Sequence, residues 1–103
     1  MDRQKLGQIG KSLANDLENI SEKYHSKSNQ HEILQWESVG VRGMTSQLLN
    51  SEECTYKLLS TQLLREWGEK LISDNTELSE RVFSFRQSYS YFVDSNKTNK
   101  KHR

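Results

Sequence analysis

The chain has no proline in 103 residues, a single cysteine and only five glycines. Without proline, no residue obliges a helix to stop. Cys54 alone can neither close an internal disulfide nor build a multi-cysteine metal knuckle. No apolar run approaches the roughly 20 residues that a membrane-spanning helix needs. The opening Met1-Asp2-Arg3-Gln4-Lys5 leads into no secretory-type apolar stretch. An intracellular protein of the nucleus or cytoplasm, with no membrane span, is the default expectation. Apolar residues are also scarce: Leu, Ile, Val and Phe supply 23 of 103, just above the roughly 20% associated with disorder. A short chain of this composition has little apolar surface with which to offset backbone entropy. It reads as a protein completed by partners rather than as an enzyme with a large core of its own.

Charge is nearly balanced, with 15 Lys and Arg against 14 Asp and Glu, but it is unevenly placed. Residues 94–103 carry Lys97, Lys100, Lys101 and Arg103 against Asp94, a net +3, so residues 1–93 carry −2. The basic character belongs to the tail.

What is present is helical periodicity. Leu6, Ile9, Leu13, Leu17, Ile20 and Tyr24 recur at a mean of about 3.6 residues, one face of an amphipathic helix expected over 3–26. The polar run His25-Ser26-Lys27-Ser28-Asn29 follows, and Asn29 with Glu32 fits a capping box for a helix over 30–49. Gly40 and Gly43 interrupt that segment. They predict either a close helix crossing or a kink, with a short helix ending near Ser38 and another opening near Met44. Asn50 with Glu53 repeats the box ahead of a helix over 53–73, although without glycine or proline there the alternative is one helix running straight through 30–73; its broad stripe is Tyr56, Leu59, Leu63, Leu64, Trp67 and Leu71. Asp74 with Glu77 opens the last helix, 77–94, on Leu78, Val82, Phe85, Tyr89 and Phe92. Alternation of Phe83, Phe85, Tyr89, Tyr91 and Val93 offers a strand as the competing pattern. Residues 95–103, with no apolar residue, are expected to form a disordered basic tail. The fold class is therefore all-α: three to four amphipathic helices in one domain over 1–94, as a helical bundle or a coiled-coil-like hairpin.

Chemistry-bearing motifs are few. Nucleophilic catalysis would need Cys54 with His25 or His31, yet Glu52 and Glu53 beside the thiol disfavour its thiolate. His31-Glu32 starts like a zinc-protease helix, but Gln35 stands where the second histidine would share its face. Gly40-Val41-Arg42-Gly43 matches the backbone-clamping loop of KH domains, without the strands such a fold requires. No catalytic residue, metal, cofactor or small-molecule substrate is expected.

The expected function is non-catalytic: a helical adaptor or complex subunit that binds helical protein partners, as a hetero- or homo-oligomer. Three seams are expected to carry it. Leu6, Ile9, Leu13, Leu17 and Ile20 form the first; Leu59, Leu63, Trp67 and Leu71 the second; Leu78, Val82, Phe85, Tyr89 and Phe92 the third. The alternative is a nucleic-acid-associated regulator of chromatin or transcription. It would use Lys97, Lys100, Lys101 and Arg103 as a phosphate-binding or import segment.

Overall fold

A computed structural model describes residues 2–56 and 60–101, with side chains at 2–56 and 65–93. Four helices follow in order: α1 (Arg3–Ser21), α2 (Asn29–Leu49), α3 (Ser60–Asp74) and α4 (Thr76–Lys101). The all-α bundle expected from periodicity is what forms, and the aromatic segment 83–93 is helix rather than strand.

Each terminus has a local cause. Asp2 caps α1, its carboxylate accepting from the Lys5 N–H at 2.7 Å. The helix then ends at Ser21, five residues short of the expected boundary. The Lys23 and Tyr24 N–H groups turn back to the Ile20 and Ser21 carbonyls, a tightened last turn that closes the helix without glycine. Tyr24 keeps its place in the apolar pattern from outside the helix, because its hydroxyl accepts from Asn75 Nδ2 at 2.8 Å. Ser28, one residue before the expected Asn29, caps α2 through the His31 N–H. α2 runs unbroken across Gly40 and Gly43.

The expected helix start at 53 is wrong. α2 stops at Asn50, Ser51 takes a left-handed φ of 56°, and the Glu52 N–H bonds to the Gln47 carbonyl at 2.9 Å. That is a Schellman-type ending with serine where glycine is usual. Two side chains of α1 complete it. Arg3 donates to the Gln47 carbonyl at 2.7 Å and the Glu52 carbonyl at 2.5 Å, and Gln4 Nε2 donates to the Leu49 carbonyl at 3.2 Å. The guanidinium adds a second donor to the Gln47 carbonyl, reaches the Leu48 carbonyl at 3.4 Å and meets the negative end of the α2 dipole. Residues 52–56 continue without helical structure, so Cys54 is buried in an irregular segment rather than on a helix. α3 contains a break at Gly68, whose φ of 72° and ψ of 165° are not helical. α4 is drawn through Lys101, beyond the expected end at 94. The side chains of 94–103 lie outside the described residues, and with them the expectation of a disordered tail.

The core is built from all four helices. Leu6, Leu13, Ala14 and Leu17 of α1 meet Leu34, Val41, Met44 and Leu48 of α2. Trp67 and Leu71 of α3 and Leu78, Val82, Phe85 and Tyr89 of α4 complete it. α1 approaches α2 closely because Gly7 and Gly10 lack side chains. A Cβ at Gly7 would overlap Leu49, and one at Gly10 would overlap the Thr45 hydroxyl and the Phe85 ring.

Candidate docking face on helix two

The three sequence-predicted seams close largely on each other. Leu6, Leu13, Leu17, Trp67, Leu71, Leu78, Val82, Phe85 and Tyr89 are buried within the chain itself, while Ile20 and Phe92 are half-buried. Ile9 departs from its seam and is 40% exposed. Leu59 and the side chain of Leu63 lie outside the described residues, as do the side chains of Lys97, Lys100, Lys101 and Arg103. Among the described residues, the large apolar side chains that the core leaves exposed are Ile9, Trp36, Val39, Tyr56 and Tyr91.

Two of them stand on α2. Its inward face is Leu34, Glu37, Ser38, Val41, Met44, Thr45 and Leu48. Trp36 and Val39 point away from that face and remain 68% and 67% exposed. Continuing at helical spacing, Gly40 and Gly43 lie on the same side. The phenol of Tyr56 rests over Gly43, where any Cβ would collide with its ring. Trp36, Val39 and Tyr56 thus line an apolar strip, with seven helical steps, about 10 Å, from Trp36 to Gly43. Isolated exposed apolar residues are ordinary; a tryptophan with an apolar neighbour one turn away is the hot-spot composition of protein interfaces.

Both ends of the strip are held firmly. Beside Trp36, Glu37 turns inward and accepts from Arg86 of α4 at 2.5 Å. Burial holds the Glu37 carboxyl above its ordinary range, a rise that Arg86 only partly offsets. At the other end, Tyr56 is fixed by its backbone N–H, which donates to the Tyr89 hydroxyl at 3.2 Å, and by an edge-on ring contact with Tyr89. Tyr89 in turn donates to Gln47 Oε1, whose amide also binds Thr55. Burial, with Cys54 nearby, pushes the Tyr89 phenol up to about 12. The strip lies on a helix tied to α4 through Glu37 and, through Tyr56, to Tyr89.

The chemistry-bearing residues are dispersed. His25 Nδ1 accepts from the Lys27 N–H at 3.1 Å as part of the α1–α2 turn. His31 Nδ1 lies 2.8 Å from the Ser21 carbonyl, so that nitrogen carries the proton and ties α2 to the end of α1. Arg42, between the two glycines, bonds to Glu18 and Asn15 of α1. Among the described residues, no three His, Cys, Asp or Glu side chains group to hold a metal ion, and no helix is long and apolar enough to cross a membrane.

The pattern in sequence obscured Trp36. Ile33, Leu34, Trp36, Val39 and Val41 are apolar on several sides of the helix, and only the inward turn of Glu37 and Ser38 shows which side is outside. No protein-family model, no curated protein and no solved structure matches the chain.

Proposed function

We propose that this protein is a non-catalytic helical subunit or adaptor that binds a protein partner through the α2 strip of Trp36, Val39 and Tyr56. One observation carries the reading: a tryptophan and a valine, one turn apart, are two-thirds exposed on a helix whose opposite face is fully packed. An aromatic side chain buries about 150–250 Å². Covering the exposed part of Trp36 removes on the order of 100 Å² from water, about 2.5 kcal/mol. The buried Glu37–Arg86 pair and the Tyr89 hydrogen bonds keep the α2 backbone preorganised, which lowers the ordering cost of association.

The test is a paired purification of the tagged wild-type chain and the Trp36→Ser/Val39→Ser variant from the cells that make it. Unchanged melting with loss of a stoichiometric co-purifying protein is the expected result. Retention of that protein at wild-type stoichiometry would refute the assignment.

A further inference from the structure

α1 and α4 run antiparallel. Arg3 lies over the Phe92 ring at 5.7 Å near one end, and Arg81 binds Asp16 at 2.7 Å toward the other. Along this seam lie two cavities of about 340 Å³ each, one on either side of the Arg81–Asp16 bridge, which share Glu77 and Arg81 as lining and together make one trough. Its floor is apolar: Leu6, Ile9 and Phe85 in one half, Ile20 and Leu78 in the other. The Arg81–Asp16 bridge lies where the halves meet. On α4 the trough runs from Thr76 to Ser88, about 18 Å of helix. That is the length of three helical turns of a partner, and helices pack by laying ridges into such grooves.

The walls are acidic. Asp16, Asp74, Glu77 and Glu80 line the trough against the single guanidinium of Arg81. Asp16 is engaged by Arg81, and Asp74 has Lys70 at 3.4 Å. Glu77 and Glu80, both exposed, form no ion pair among the described residues. Glu77 stands in the first turn of α4, where the helix dipole alone favours a carboxylate. Glu80 is a turn further on, outside that influence.

We propose that this trough is a second docking site, distinct from the α2 strip, for a basic amphipathic helix of a partner protein. The apolar side chains of that helix cover Ile9 and Ile20, and its lysines or arginines pair with Glu77 and Glu80. Charge complementarity selects the partner's sign, and the apolar floor demands that it be amphipathic. The chain's own tail meets only the first condition: residues 95–103 are basic but contain no apolar side chain. An acidic wall also repels an anionic membrane or nucleic-acid surface.

The probe is a fluorescein-labelled Leu/Lys peptide of 14 residues or so, apolar at helical spacing, with a Leu/Glu peptide as its counterpart. Anisotropy is read on the full chain at low and high salt. The expected result is saturable binding of the Leu/Lys peptide alone, weakened about tenfold by Glu77→Gln/Glu80→Gln, as two lost charge contacts imply. Glu22→Gln/Glu32→Gln, on other faces, leaves it unchanged. Amide shifts on peptide addition cluster at 6–9, 16–20 and 74–88. Equal weakening by both double variants, or shifts centred on Trp36, would overturn the proposal. So would concentration-dependent dimerisation abolished by Glu77→Gln/Glu80→Gln, which would make the occupant a second copy. The α2 strip is untouched by these substitutions, so each site fails or stands by itself.

Discussion

Arg86 of α4 and Glu37 of α2 form an ion pair of 2.5 Å with side chains only 5% and 2% exposed. Each leaves polar atoms unmatched: among the described residues, Arg86 Nε and Arg86 Nη1 have no hydrogen-bond partner, and Glu37 Oε1 has none within ordinary limits, though the Trp67 indole lies close enough to favour its carboxylate. The pair fixes how α2 lies against α4 at the cost of desolvating two charges. Glu37→Leu alone strands the guanidinium and should cost about 3–5 kcal/mol. Glu37→Leu/Arg86→Met removes both charges and should return stability to the wild-type value or above it. Urea melts of the wild type and the two variants check this. A double variant as unstable as the single one would mean that the pair contributes net stability.

The same pair sets an unusual pH response. Burial raises the Glu37 carboxyl in the folded chain above its ordinary 4.5, with Arg86 lowering it and Glu66 on α3 adding to the rise. The folded chain therefore binds a proton before the unfolded chain does as pH falls. This group's share of stability is fully present below 4.5 and is lost as pH rises through the folded-state value. Urea melts from pH 4.5 to 7 should show wild type gaining on Glu37→Gln toward the acid end. A gap that moves the other way would show that Arg86 outweighs burial.

Tyr89 should be the latch of the 52–56 segment. Tyr89→Phe removes the acceptor for the Tyr56 N–H and the donor to Gln47, an expected loss of about 1–3 kcal/mol. It should also flatten the alkaline limb. The wild-type phenol ionises in the unfolded chain near its ordinary 10 and in the folded chain at about 12, so stability falls between those values. Thermal melts at pH 7 and 11 on both chains test it. Equal alkaline losses in the two would exclude Tyr89 as the cause.

Close packing of α1 rests on Gly10. Gly10→Ala gains up to about 1 kcal/mol of helix propensity but drives a methyl into Thr45 and Phe85, which costs about 1–3 kcal/mol. A lower melting temperature is expected, and Gly10→Ala/Thr45→Ala, which removes the clashing hydroxyl, should not fully restore it because Phe85 remains in the way. A higher melting temperature for the single variant would show that α1 can back away.

These residues also show what was legible in the sequence. Leu6, Leu13 and Leu17, and Val82, Phe85 and Tyr89, recur at helical spacing, so two helices and their inward faces could be read directly. Most ends could be read as well: α1 begins at 3 and α2 closes at 49 as expected, and the start of α2, the end of α3 and the start of α4 fall within one residue. The close of α1 and the start of α3 could not, because Ser21 ends α1 with hydrogen bonds that no glycine or proline announces and residues 52–56 stay irregular. The α2 strip was hidden for another reason. Charged residues default to the surface, so Glu37 gave no sign of turning inward, and without that sign Trp36 reads as core. The α1–α4 trough depends on how two helices splay, which periodicity does not encode; Ile9 simply continues its stripe.

Trp36 and Val39 are proposed to be the face that meets a partner. A photo-crosslinking amino acid placed at Val39, and in a second chain at exposed Lys11, tests this most directly in the cells that make the protein. One discrete adduct from position 39, absent from position 11 and lost when Trp36→Ala is added, is the predicted result. No adduct from position 39, or the same adducts from both positions, would contradict it.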